Sequence, residues 1–321
     1  FSATLSLYGA ALTGCPLQRY YTDPNAYSAG QDAIAQAFAS DIIFTPFSVP
    51  IEGEVYGSRV AFFEDQPPNI VRPAISSSKE IASLQTPDVE SHPRLMYIRD
   101  TLRMLVSAHR SQRAIAGIAL SPMDSPLMIM GIEGWMETVL FDPQGVRSML
   151  DVTGPFFVRW VNSLLSDGAD FIVLPVGMLS PSVVTRQIAE DVTRPALAEA
   201  LAEVNGPVVL HHTGGSCMRH LDLFAGLPNV IGVVIDSRDD PGEAREILGP
   251  DMVLFAGPSG PDMPEYTAEQ ITADCAERLV ERHGDPRFVL ATTAADVPLA
   301  TRAENIHAMR RAVQAQAGGK C

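Results

Sequence analysis

The amino-acid sequence predicts a (β/α)8 TIM barrel, and three observations lead there. Short apolar, β-rich runs recur eight times, and helical segments separate them. Several runs, such as FIVLPVG, PVVLHH and VIGVVID, are apolar nearly throughout. Continuous apolar runs mean strands buried on both faces, which a parallel sheet covered by helices requires. The eight predicted strands are Ser2–Tyr8, Asp41–Ser48, Ala114–Ser121, Phe171–Gly177, Pro207–His212, Val230–Asp236, Met252–Gly257 and Phe288–Thr293. The first helix, Asp23–Phe38, opens with Asp23 as N-cap and Pro24 at its first position. Apolar residues at three- and four-residue spacing predict helices over Pro143–Asp151, Pro155–Ser166 and Val183–Ala202. Leu221–Ala225, Gly242–Leu248, Ala268–Arg282 and Arg302–Gln316 complete the set. One domain, residues 1–321, accounts for the whole alternation, and chemistry is expected at the C-terminal ends of the strands.

One stretch breaks the regularity. Residues 51–110, after the second strand, read as an insertion: GEVYGSRVAFFEDQPPNIVRP predicts a β-hairpin with a Pro-bounded exit, and Thr101–His109 a helix. Insertions of that length are usually functional or form interfaces. Gln314–Cys321 reads as a frayed tail.

Charge narrows the partners. With 23 Lys and Arg against 38 Asp and Glu, the formal net charge is −15, so no cationic excess exists to displace counterions from nucleic acid. No run of 18 apolar residues occurs, so no membrane span is expected. Cys15, Cys217, Cys275 and Cys321 are scattered without a CxxC pair, which predicts reduced thiols and a cytoplasmic enzyme. The start, FSATLSLYGA, has neither a basic n-region nor a Met, so a longer native N-terminus is expected. Neither GxGxxG nor GxxxxGK[ST] occurs, and no dinucleotide or P-loop site is predicted.

The strand ends supply the candidate site. His211 and His212 close the fifth strand, followed by Thr213 and Gly214. Successive strand residues face opposite ways, so one of the two histidines is expected to point into the barrel mouth, able to ligate a metal or move a proton. His211, Cys217 and His220 form a candidate zinc set, though Cys is often just a small buried hydrophobe. Asp41 and Asp236 are candidate catalytic carboxylates; a helix cap or a structural ion pair is the alternative for each. Asp124, Gly257 and Asp296 complete the set as binding candidates.

Taken in order, the segments SLYGAALTGCPLQRYYTDP, ASDIIFTPFSVPIEGEVYG, VVLHHTGG, VVIDSRDDPGEAREILG and FVLATTAADVPLATRAENIHAM resemble the uroporphyrinogen decarboxylase superfamily, and look most like its cobalamin-linked methyltransferase branch. The resemblance runs nearly end to end and implies a (β/α)8 barrel. It also implies methyl transfer between a corrinoid (cobalamin), carried on a partner corrinoid protein, and a thiol or folate. Thiol-acting members hold zinc with a His-x-Cys and a later Gly-Cys; here the His matches His211, but Thr213 and Ala295 stand at the two Cys positions. In the decarboxylase branch, Asp41 corresponds to the aspartate that binds pyrrole nitrogens. That branch's Arg-Gln-Ala-Gly-Arg-Tyr and Asn-Leu-Gly-His-Gly segments have no match here, and basic residues look sparse at the strand ends. The leading expectation is therefore a corrinoid-dependent methyltransferase using His211 or His212 with Asp41 or Asp236, with zinc only if Cys217 or His212 replaces the missing ligands. A decarboxylase or lyase acting on a small acidic or pyrrolic substrate through Asp41 is the second reading. A non-catalytic ligand-binding or corrinoid-docking subunit is the third.

Overall fold

The computed structural model describes residues 1–318; Cys321 and the end of the expected tail lie outside them. Its nine strands are β1 Ile42–Phe44, β2 Arg59–Ala61, β3 Asn69–Arg72, β4 Ala114–Ile118, β5 Phe171–Pro175, β6 Val208–His211, β7 Val230–Val234, β8 Val253–Ala256 and β9 Phe288–Leu290. Seven of them form a parallel sheet in the order β1-β4-β5-β6-β7-β8-β9. The chain's first residues close it: Ser2 N–H donates to Leu290 O (2.9 Å), Thr292 N–H to Ser2 O (3.0 Å), and Asp41 N–H to Phe1 O (3.0 Å). The predicted strand Ser2–Tyr8 is thus reduced to a single bridge, Ser2 to Ala291, and Tyr8 already opens the helix Tyr8–Thr13.

Burial sorts each strand by parity. Ile42, Phe44, Ala116, Ile118, Phe171, Val173, Val209, Val234 and Phe255 pack together inside the barrel. Their sequence neighbours Ile43, Ile115, Ile172, Leu174, Val208, Leu210, Val233 and Leu254 join the larger core beneath the helices. Both faces are therefore apolar, which is why these strands read as continuous runs.

Three helical expectations change. Pro143–Asp151 and Pro155–Ser166 fuse into one helix, Pro143–Asp167, with Pro155 inside it. A mid-helix proline costs about 3 kcal/mol. Burying Phe156, Phe157 and Trp160 beside it is worth roughly 1.5–3 kcal/mol each and outweighs that cost. The segment predicted as Val183–Ala202 instead divides at Pro195: Arg186–Ile188 leads into a π turn, Ala189–Thr193, and then Arg194–Ala202. A π turn lengthens the hydrogen-bonded ring and absorbs the donor that proline lacks. The last helix, Ala303–Gly318, runs on through Gln314 where a frayed tail was expected.

In the expected insertion, β2 and β3 pair antiparallel as the predicted hairpin, with an irregularity between Arg59 and Val60. The helix foreseen at Thr101–His109 begins earlier, at Pro93, and carries the chain back to β4. No helix among the described residues is long and apolar enough to cross a membrane.

Candidate active site at the C-terminal ends of the strands

Buried polar side chains tie the first βα turns to one another. After β1, Glu52 in the short helix Pro50–Glu54 accepts the Leu120 N–H through Oε1 (2.7 Å). Four residues on, Asp124 takes the Ser121 hydroxyl on one oxygen and the Met178 N–H on the other (2.9 Å). Gly177 brings the β5 turn against both Asp124 and Thr213, since a Cβ there would lie 3.2 Å from Asp124 Oδ1 and 3.4 Å from Thr213 Oγ1. The latches thus link β1 to β4 and β4 to β5, and the β5 turn packs closely beside Thr213 of the β6 turn. Burial pushes the Asp124 carboxyl up to about 6 despite those hydrogen bonds.

His211 has the parity of Val209 and faces the barrel interior at the end of β6. Its Nδ1 contacts the His212 carbonyl oxygen, which fixes the proton on Nδ1 and leaves Nε2 as an acceptor. No hydrogen-bond partner for Nε2 is found among the described residues. Burial, and next the neighbouring His212, lower the His211 pKa to about 3, so the ring is neutral at pH 7.

His212 does not simply face the other way. β6 ends at His211, so strict alternation stops there, and the two rings stack with centroids 5.2 Å apart and planes 8° apart. His212 faces a backbone donor on each ring nitrogen, the Ala294 N–H at Nε2 (3.1 Å) and the Gly214 N–H at Nδ1 (3.2 Å), and its Nδ1 also stands 3.5 Å from Asp236 Oδ2. Ala294 is held at φ 69°, a left-handed conformation costly for a residue with a Cβ. Burial lowers the His212 pKa, with Asp236 opposing. His212 is therefore a fully engaged strut joining β6, β7 and β9, and His211 keeps the free nitrogen.

Asp236 is gripped by Arg238 through Nε (2.6 Å) and Nη2 (3.1 Å). Burial alone would raise its pKa; the Arg238 contacts outweigh burial and hold it below the usual carboxylate range. The Arg238 side chain is 66% exposed, a cation facing solvent at the rim. Beneath it Asp239 accepts from Cys217 N (3.1 Å), Cys217 Sγ (3.2 Å), Asp236 N (3.1 Å) and the Ser216 hydroxyl.

Several predicted site residues lie elsewhere. Asp41 precedes β1, at the strand's N-terminal end, and its side chain is 73% exposed; it sits at the opposite end of the barrel from His211. An Asp before an apolar run enters the barrel floor, because parallel strands all point their C-terminal ends toward the mouth. The Cys217 thiol is committed to Asp239, and burial pushes its pKa up. His220 is buried with Nδ1 on Leu179 O (2.9 Å). Among the described residues no three His, Cys, Asp or Glu side chains converge as a metal site. With Thr213 and Ala295 at the resembling Cys positions, the residues present do not fit zinc. Gly257 is a packing glycine, since a Cβ would come within 2.0 Å of Ala291 O. Asp296 accepts the Leu7 N–H (2.8 Å) at the start of the helix Tyr8–Thr13, and burial raises its pKa to about 8. Thr213 and Gly214 stand exposed at the mouth, with Gly214 at φ 81°.

Sequence reasoning missed Glu52, Arg238 and Asp239. Arg238 and Asp239 lay two and three residues beyond the strand-end Asp236, in IDSRDD. The expected dearth of basic residues at the strand ends overlooked this arginine.

Comparison with known proteins finds relatives along most of the chain. The chain is 23% identical over 272 residues to methylated-thiol–coenzyme M methyltransferase of Methanosarcina mazei, covering 83% of this chain and 70% of that protein. It is 20% identical over 229 residues to methylcobamide:CoM methyltransferase MtbA of Methanosarcina acetivorans, covering 69% of this chain and 66% of that one, just under two thirds of its length. A solved methyltransferase from Methanosarcina mazei superposes with a TM-score of 0.86 at 18% identity, over 98% of this chain and 92% of the other. The model of the uroporphyrinogen decarboxylase (URO-D) family matches residues 2–316. A match that spans every strand of the barrel and its closing bridge makes this chain a member of the uroporphyrinogen decarboxylase (URO-D) family.

Proposed function

We propose that this chain is a corrinoid-dependent methyltransferase, moving a methyl group between a corrinoid, free or carried on a partner protein, and a small acceptor such as a thiol or a folate. The observation that carries the reading is His211, an inward-facing neutral imidazole with one free nitrogen, in a chain whose curated relatives are methyltransferases. When an acceptor's lone pair attacks the methyl carbon, the bonding electrons stay with the corrinoid. This chain's task is to orient the acceptor, take its proton and exclude water. His211 Nε2 accepts the hydrogen bond of the acceptor's S–H or N–H and receives that proton as the methyl group is transferred. Asp124, with one oxygen on the Ser121 hydroxyl and the other on the Met178 N–H, holds the β4 and β5 turns in place. Thr213 lies beside Asp124 across Gly177 and offers a hydroxyl to the acceptor. His212 and Asp236 hold the β6 turn in register, and Arg238 pairs with Asp236 at the rim.

The connections after β1 and β4 leave Val71, Ile132, Leu140 and Phe141 exposed, apolar side chains open to a corrinoid-bearing partner. The decarboxylase reading loses its substrate-orienting carboxylate, because Asp41 stands at the barrel floor.

The test is to mix purified protein with methylcobalamin and a panel of thiols and folates, and to follow the cobalamin spectrum. Demethylation with at least one acceptor, lost in His211→Ala at unchanged melting temperature, is expected. No demethylation with any acceptor, a cognate corrinoid protein included, overturns the proposal.

A further inference from the structure

Between β1 and β4 the barrel wall encloses a cavity of about 10 Å³, room for the centre of one water-sized molecule. Ser48 and Glu52 reach it from the connection after β1, and Trp160 from the helix Pro143–Asp167. The other lining side chains, Ile98 and Ile118 among them, are apolar. Ser48, Glu52 and Trp160 are 6%, 5% and 2% exposed, and Ser48 Oγ, Glu52 Oε2 and Trp160 Nε1 each lack a protein partner. Three orphaned polar atoms around one small space form a built site, since buried polar groups are almost always satisfied.

We propose that Ser48, Glu52 and Trp160 together bind a single water molecule, and that this water anchors the turn carrying Asp124. The hydrogen-bond inventory closes on one molecule. Indole Nε1–H only donates, so the water accepts from Trp160. Glu52 Oε1 already accepts from Leu120 N–H, and burial raises the carboxyl's pKa to about 8 against the pull of that N–H and of the neighbouring Trp160 indole, a shift that favours the protonated form. Oε2–H therefore donates to the same water, which gives one of its own hydrogens to Ser48 Oγ. A direct Trp160–Glu52 bond would satisfy two atoms and leave Ser48 orphaned. The bound water steadies Glu52, and through Leu120 N–H Glu52 steadies the turn Leu120–Asp124. The inference does not depend on which reaction the barrel performs.

The chain's two tryptophans make the test internal. Trp135 Nε1 donates to Met123 O (2.9 Å) and serves as the control. In protein with 15N-labelled indoles, a water-to-indole Overhauser cross-peak is expected at Trp160 and not at Trp135. It should persist in Glu52→Gln, where no carboxyl proton can relay it. A crystal structure at high resolution should show one density peak within about 2.7–3.2 Å of all three atoms. No Trp160 cross-peak in the wild type, one that vanishes in Glu52→Gln, or Trp160 bonded directly to Glu52 would each overturn the proposal.

Discussion

Replacing Asp239 separates a structural latch from an ordinary surface charge. Its carboxylate receives two backbone N–H groups, Cys217 and Asp236, together with the Cys217 thiol and the Ser216 hydroxyl. Asp239→Ala leaves at least the two backbone donors unpaired in a buried place. Each costs about 1–3 kcal/mol, and hydrogen bonds to a charged acceptor lie toward the upper end, so the expected loss is roughly 3–5 kcal/mol. Asp239→Asn is the matched control. With its carbonyl oxygen at the Oδ2 position it keeps both backbone bonds, and its NH2 meets the Ser216 oxygen, so it should cost about 1 kcal/mol. Trp135 and Trp160 are both buried, and their fluorescence reports the transition in urea. The two variants should differ by at least about 2 kcal/mol, with the Asn form unfolding close to wild type. Equal midpoints for the two would refute the view that Asp239 works by collecting donors.

Other perturbations follow from the same geometry. Gly257→Ala places a Cβ within 2.0 Å of the Ala291 carbonyl and should abolish soluble expression. Gly154→Ala, in a helix with nothing within 4 Å, should stabilise by about 0.5–1 kcal/mol in thermal or urea unfolding. Glu52, held neutral up to about pH 8, binds a proton in the fold that the unfolded chain has lost above about pH 4.5. Its contribution to stability is thus present at low pH and declines as pH rises through that window. The stability of Glu52→Gln relative to wild type should therefore climb by about 1.4 kcal/mol per pH unit between pH 5 and 8, and parallel profiles would count against the assignment. Wild-type protein should carry no stoichiometric zinc by elemental analysis. Thr213→Cys with Ala295→Cys should acquire it if those positions sit as the family resemblance implies.

The barrel was legible because its strands are apolar on both faces, and a run like FIVLPVG admits few other readings. Helix ends marked by local chemistry were legible too: Asp23 caps Pro24–Phe38 by accepting from Asn25 N–H. What escaped were features decided at a distance. Pro155 reads as a breaker until the burial of its neighbours is known, and Tyr8 reads as strand until Asp296, far along the chain, binds the Leu7 N–H just before its helix. Within the site, His211 was visible at a strand end, while its division of labour with His212 rests on the Ala294 N–H. Asp41 misled because the family resemblance gave it a place in the mouth, although its position before the apolar run already put it at the strand's N-terminal end. Glu52 went unnoticed because a carboxyl in a short helix looks like surface until its neighbours enclose it.

Closure by the first residues has a consequence for how this chain acquires its shape. Thr4 N–H donates to Thr292 Oγ1 (2.8 Å), and Leu7 N–H to Asp296, partners separated by 288 and 289 positions. During synthesis Ser2 through Leu7 must wait for Thr292 and Asp296 to emerge before their partners exist. The seam therefore zips last, and contacts of such separation fold slowly. Until it does, two unpaired edges invite a neighbouring chain, so aggregation during refolding should be most sensitive to changes at Ser2 through Leu7.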